Sequence, residues 1–124
     1  MPKILIADDS RTARMIVRRC LEMAGFQGAN FLEADDGEAA LALAGSEAPD
    51  LIVADLNMPK LDGEALLKSL KEAPATRPIP VLIASSAVNA VRSKRLSDMG
   101  AYGIVQKPVS PAALAQALGP WKGN

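Results

Sequence analysis

Five short apolar runs, separated by helical patterns, restrict the fold of this chain more than any other feature: Ile4-Leu5-Ile6-Ala7, Phe31-Leu32, Leu51-Ile52-Val53-Ala54, Val81-Leu82-Ile83-Ala84 and Ile104-Val105. Each reads as a strand. Three of them are nearly unbroken rather than alternating, the pattern of strands covered on both faces in a parallel sheet. After Ser10, a good N-cap, the apolar residues Ala13, Ile16, Val17, Cys20, Leu21 and Ala24 keep helical spacing, and Gly25 supplies a stop. Asp62 caps a second stripe of Leu66, Leu67 and Leu70, and Ser110-Pro111 opens a third that runs through Leu114 and Leu118 to Gly119. Glu38 to Ala44 is helical by its alanine content, and Ala87 to Met99 carries a weaker period through Val88, Val91, Leu96 and Met99. Strand and helix alternate without a composition break, repeat or linker. The pattern predicts one domain over residues 1–124, an α/β fold with a doubly wound parallel sheet.

Composition narrows the function. Fourteen Lys and Arg balance fourteen Asp and Glu, which argues against a nucleic-acid footprint. The chain holds no histidine, so imidazole catalysis is excluded, and its one cysteine, Cys20, excludes an internal disulfide or a Cys-based zinc site. Cys20 lies on the apolar stripe of the first helix, where packing is expected rather than redox chemistry. No apolar run approaches the roughly 20 residues that span a bilayer, and Met1-Pro2-Lys3 opens no signal peptide. A cytoplasmic protein without membrane contact is expected.

Ligands on doubly wound sheets bind beyond the carboxyl ends of the strands. The first strand ends in Asp8-Asp9, the third in Asp55, the fourth in Ser85-Ser86 and the fifth in Lys107-Pro108, while the second ends in Glu33-Ala34-Asp35-Asp36. Taken singly, Asp8-Asp9-Ser10 reads as a capping cluster and Asp55 before Asn57-Met58-Pro59 as turn chemistry. Together they bring three carboxylates, a hydroxyl and an ammonium to one crevice. Packed carboxylates need a counter-charge. Mg²⁺ suits an oxygen-lined site of this kind, and with Lys107 it neutralises the three acids. A phosphoryl group placed there meets the metal, Lys107 and Ser85, and Asp55 can serve as a nucleophile that forms an aspartyl phosphate.

These residues resemble the receiver domain of two-component response regulators, the family that includes the single-domain chemotaxis regulator. The likeness runs from Lys3 to about Leu118 through Ile4-Leu5-Ile6-Ala7-Asp8-Asp9-Ser10, Asp50 to Pro59, Asp62-Gly63, Pro80 to Ser85, and Gly100-Ala101 leading to Lys107-Pro108. It implies a flavodoxin-like, five-stranded sheet of order 2-1-3-4-5 with five helices. It also implies that Asp55 accepts phosphate from a phosphohistidine on a sensor histidine kinase or histidine phosphotransfer protein. By the same resemblance Asp9, Asp55 and the carbonyl of Asn57 bind Mg²⁺ directly, Asp8 acts through water, Ser85 and Lys107 contact the phosphoryl group, and the Lys107–Pro108 bond is cis. Lacking histidine, this chain cannot hold its own phosphodonor.

Two positions depart from the family pattern. The residue three before the lysine, aromatic in the family, is Ile104, and the nearby Tyr102 does not occupy that place. Ser86 replaces the commoner Ala or Gly after the hydroxyl residue. On the first helix Arg11, Arg14 and Arg18 form an exposed basic stripe that reads either as a solvated helix face or as a docking surface, and its start two residues after Asp9 favours a kinase or phosphotransfer partner there; Arg92, Lys94 and Arg95 mark the fourth helix similarly, on the side that the family uses to bind a downstream protein target. After the fifth helix only Gly119-Pro120-Trp121-Lys122-Gly123-Asn124 remains, with no effector domain expected. Two other functions fit parts of the pattern. One is a Mg²⁺-dependent phosphatase of the haloacid dehalogenase kind, which carries a second carboxylate where this chain has Asn57; the other is a non-phosphorylated interaction module, against which the intact acid, hydroxyl and lysine set weighs.

Overall fold

Every apolar run forms a strand in the computed structural model, which describes residues 1–121; the tail residues Lys122-Gly123-Asn124 lie outside the described residues. The strands are β1 (Lys3–Ala7), β2 (Asn30–Ala34), β3 (Leu51–Ala54), β4 (Val81–Ser85) and β5 (Gly103–Gln106). They pair in parallel in the order β2-β1-β3-β4-β5, as the family resemblance implies. The unbroken runs are explained by burial on both faces: all residues of β3 and β4 are buried. Leu5, Ala7, Ile52, Ala54, Val81 and Ile83 face one apolar layer, and the alternate residues Ile4, Ile6, Leu51, Val53, Leu82 and Ala84 face the other. β2 lies at an edge, and its only buried residue is Ala34.

The helices are α1 (Arg11–Leu21), α2 (Gly37–Glu47), α3 (Gly63–Glu72), α4 (Ala90–Asp98) and α5 (Pro111–Leu118). Val17, Cys20 and Leu21 of α1 join Leu114 and Leu118 of α5 on one side of the sheet. Ala40 and Ala44 of α2, Leu66, Leu67 and Leu70 of α3, and Leu96 of α4 cover the other. Ser10, Asp62 and Ser110 cap α1, α3 and α5 as expected, each side chain accepting from the backbone N–H three residues on. Asp36 does the same for α2 through Ala39. A π-type turn over Glu22–Phe26 extends α1 before Gly25 breaks it at φ +117°, and beyond it the Phe26 ring packs on Trp121 with centroids 5.3 Å apart. Cys20 is buried, and burial pushes its thiol pKa up, as suits a packing residue.

Two expectations need correction. α4 begins at Ala90, not Ala87, because Asn89 caps it by accepting from the Arg92 N–H and Ser86-Ala87-Val88 is spent in the turn that leaves β4. Its weak period has a plain cause: Leu96 is its only buried residue and Val91 is 83% exposed. Ile16 lies at the open edge of the α1 stripe and is 47% exposed. Among the described residues no helix is long and apolar enough to cross a membrane.

Gly37 opens α2 directly against the loop after β3, where a Cβ would collide with the Leu61 carbonyl. Helix propensity alone favours Gly37→Ala by up to about 1 kcal/mol; the backbone collision reverses the sign. Gly37→Ala is expected to destabilise by about 1–3 kcal/mol, read from the midpoint of urea unfolding. A midpoint that rises would show that α2 does not rest on Leu61.

Candidate functional site

Because parallel strands all point the same way, the polar residues that follow them meet at one edge. Asp8 and Asp9 follow β1, Asp55 follows β3, Ser85 ends β4 and Lys107 follows β5. Carboxylate oxygens of Asp8, Asp9 and Asp55 lie within 4.8 Å of one another, Asp8 and Asp55 buried and Asp9 exposed. The structure thus brings together all three acids expected from sequence. Hydrogen bonds between strands hold their backbones: the Asp8 N–H donates to the Ala34 carbonyl at 3.0 Å and the Asp55 N–H to the Ala7 carbonyl at 2.9 Å.

Lys107 closes the crevice from the far side. Its ammonium donates to Asp8 Oδ2 at 2.6 Å and lies 3.5 Å from Asp55 Oδ1. The cis Lys107–Pro108 bond turns the chain here, and the Lys107 N–H donates to the Ser85 carbonyl at 2.9 Å. Burial opposes the lysine's charge, but the hydrogen bond to Asp8 and the charges of Asp55 and Asp8 outweigh it and hold its pKa above the ordinary value. Burial pushes Asp55 above the usual carboxylate range; Lys107 pulls against that and Asp8 adds to it. Ser85 is fully buried, and its Oγ accepts from the Ala87 N–H at 3.1 Å.

Asn57 stands exposed on the loop from β3 to α3, two residues past Asp55. That loop is anchored by buried Leu56 and Met58 and by the Gly63 N–H, which donates to the Leu56 carbonyl at 2.9 Å. Ser86 is exposed beside Lys107 at the rim of an apolar groove of about 380 Å³, whose walls also include Ile16, Val17, Pro108 and Val109. Ile104, at the position aromatic in the family, packs partly buried against the core next to its register partner Ile83. Tyr102 instead donates its hydroxyl to the Leu118 carbonyl at 2.8 Å, at the end of α5.

The basic stripe expected on α1 is not continuous. Arg14 turns inward, its side chain only 13% exposed, and binds Glu33 and the Asp8 carbonyl. Arg18 pairs with Glu22 and lies over the Phe31 ring. On α4, Arg95 reaches Glu64 of α3 at 2.7 Å and Lys94 pairs with Asp98. Sequence spacing shows which residues share a helix face, not which long side chains fold back. For that reason the inward path of Arg14 escapes it.

The donor set fits a hard divalent cation: three carboxylates converge with one lysine against them, and oxygen is the only ligand type offered. A family model described as the response regulator receiver domain matches residues 4–119. The chain is 35% identical to the chemotaxis protein CheY-3 of Vibrio cholerae over 116 residues, 94% of this chain and 88% of that one. It is 37% identical to the gliding motility regulatory protein of Myxococcus xanthus over 117 residues, which cover 94% of this chain and 15% of that larger protein. The fold superposes on the chemotaxis protein CheY4 of Vibrio cholerae with a TM-score of 0.83 at 30% identity, covering 95% of this chain and 96% of that one. The Francisella response regulator 1452 receiver domain gives 0.82 at 31% identity, covering 94% and 92%.

Because the pKa of Asp55 is raised on folding, its charge opposes the metal-free fold. That penalty is complete above the raised pKa and vanishes below the ordinary carboxylate value, about 4. Without divalent cations, Asp55→Asn is expected to melt a few degrees above the parent at neutral pH, with the gap closing toward about pH 4. Melting curves of the two proteins across that range check it. An Asn variant no more stable than the parent at neutral pH would contradict the electrostatics described.

Proposed function

The chain belongs to the response regulator receiver domain family, and from that premise we propose that it is a phosphorylation-controlled switch in which Asp55 takes a phosphoryl group from a phosphohistidine on a sensor histidine kinase or histidine phosphotransfer protein. The observation that carries this reading is the convergence of Asp8, Asp9 and Asp55 under a lysine that spans Asp8 and Asp55. Residues 1–124 act as one receiver unit in the cytoplasm, with no direct contact to nucleic acid or membrane, in keeping with the zero net charge and the free Cys20.

An Asp55 carboxylate oxygen forms a bond to phosphorus as the P–N bond breaks, and the electron pair of that bond leaves with the imidazole, which takes up a proton. Lys107 turns from Asp8 and Asp55 to a phosphoryl oxygen, and the Ser85 hydroxyl donates to another. Asp9, Asp55 and the Asn57 carbonyl would hold Mg²⁺ directly and Asp8 through water. When bound, Mg²⁺ supplies the divalent charge that makes close approach of an anionic phosphoryl group to three carboxylates favourable. Attack of water on phosphorus later restores the Asp55 carboxylate and releases inorganic phosphate. The only chemistry catalysed is thus this chain's own phosphorylation and dephosphorylation.

The phosphodonor partner approaches over the apolar groove at Ile16, Pro108 and Val109, which abuts Lys107. The output face comprises α4, β5 and α5, where Val91 is exposed on the first of these. A phosphatase acting on outside substrates is disfavoured, because exposed Asn57 stands where such enzymes carry their second carboxylate.

Incubation with Mg²⁺ and acetyl phosphate or phosphoramidate is expected to add one phosphoryl group, seen by mass spectrometry with the label's lifetime allowed for, and Asp55→Asn is expected to abolish it. Lys107→Ala should slow labelling on the order of 100-fold, the usual loss when one preorganised charge partner is removed. An unlabelled parent with an intact fold would overturn the proposal, as would turnover of phosphoesters at enzyme-like rates.

A further inference from the structure

Asp8 is held at every hydrogen-bonding group it has. Its N–H donates to the Ala34 carbonyl at 3.0 Å, Oδ1 accepts from the Ser10 N–H at 2.9 Å, and Oδ2 accepts from Lys107 Nζ at 2.6 Å. The fourth group, the carbonyl, accepts from Arg14 Nη1 at 2.6 Å. That carbonyl belongs to the peptide joining Asp8 to Asp9, and the plane of this peptide sets the direction in which the Asp9 side chain leaves the backbone. Asp9, by contrast, is exposed. Its aim therefore depends on how firmly that peptide is fixed.

Arg14 is well placed to fix it. Its Nε donates to Glu33 Oε1 at 2.7 Å, near the end of β2, while Nη1 reaches the Asp8 carbonyl. The side chain is 13% exposed, against 48% for Arg18 one helical turn along. Two charge-assisted bonds in fixed directions use the planar fork of a guanidinium, which a single ammonium does not reproduce. We infer that Arg14, anchored by Glu33, is a positioning residue that fixes the Asp8–Asp9 peptide and so aims the Asp9 carboxylate at a divalent cation in the crevice. This rests on the phosphorylation reading above, and it assigns Arg14 to the inside of the site rather than to a docking stripe.

The sign of the effect separates positioning from simple electrostatics. Removing a positive charge beside three carboxylates strengthens Mg²⁺ binding on Coulombic grounds; loss of the positioning contact weakens it. Calorimetric titration with Mg²⁺ at fixed ionic strength, with metal-free melting curves alongside, compares the parent with Arg14→Ala, Arg14→Met and Arg14→Lys. The two neutral variants are expected to bind Mg²⁺ about 10-fold more weakly, the usual cost of losing a group that orients a metal ligand, and Arg14→Lys to recover part of the loss. The Mg²⁺ concentration for half-maximal labelling by acetyl phosphate should rise by the same factor, while the rate at saturating Mg²⁺ changes little. Acetyl phosphate needs no protein docking surface, so that shift does not come from a lost partner contact.

Unchanged or tighter Mg²⁺ binding in either folded neutral variant overturns the inference. Arg14→Met keeps the apolar bulk of the stem and decides the matter if Arg14→Ala does not fold. A parent that binds no Mg²⁺ removes the phosphorylation reading and this one with it. A parent that binds Mg²⁺ and is labelled, with variants that match it, removes this one alone.

Discussion

In a sheet whose central strands are covered on both faces, charge is costly everywhere along the strands and cheap only where they end. β3 and β4 carry no exposed residue, and β1 has only Lys3 partly open at its start. Acid, hydroxyl and lysine therefore collect at the carboxyl edge, where the backbone leaves the apolar layers. Lys107 then joins the two ends of the chain: it meets Asp8 across 99 positions of sequence, which links the first strand to the last through one ion pair. The crevice follows from how the core is built.

That coupling has a cost. Burial and the neighbouring Asp8 raise the pKa of Asp55 against the pull of Lys107. The acidic edge is thus a locally unfavourable arrangement held in place by the apolar layers beneath it, as functional sites often are. The lysine partly neutralises the resting crevice, and under the proposed function it has a second, competing task at the phosphoryl group.

What the sequence made legible follows period and position. Apolar runs located all five strands, and Ser10, Asp62 and Ser110 marked three helix starts because a cap is a local interaction. The three acids and Lys107 were legible because strand ends are fixed by the runs before them. The rest depended on side-chain paths and on weak periods. Arg14 and Arg18 share a helical face in sequence, yet one folds inward to Glu33 and the other lies over Phe31. α4 started three residues later than its period suggested, since a single buried leucine cannot define a phase. Nor does spacing reveal that Tyr102 is tied to the end of α5 while Ile104 occupies the core position beside it.

The contact between Phe26 and Trp121 lies where α1 and α5 end. Both helices run back against the strands, so this aromatic pair sits at the amino edge of the sheet, a strand length of roughly 17 Å from the crevice. The chain has one tryptophan and one tyrosine, and the tyrosine is bonded to the end of α5. Its natural fluorophores are thus gathered away from the acids. Intrinsic emission will follow loss of the fold well and events at Asp55 poorly, so a light-based readout of the crevice needs a probe introduced on the loops that surround it.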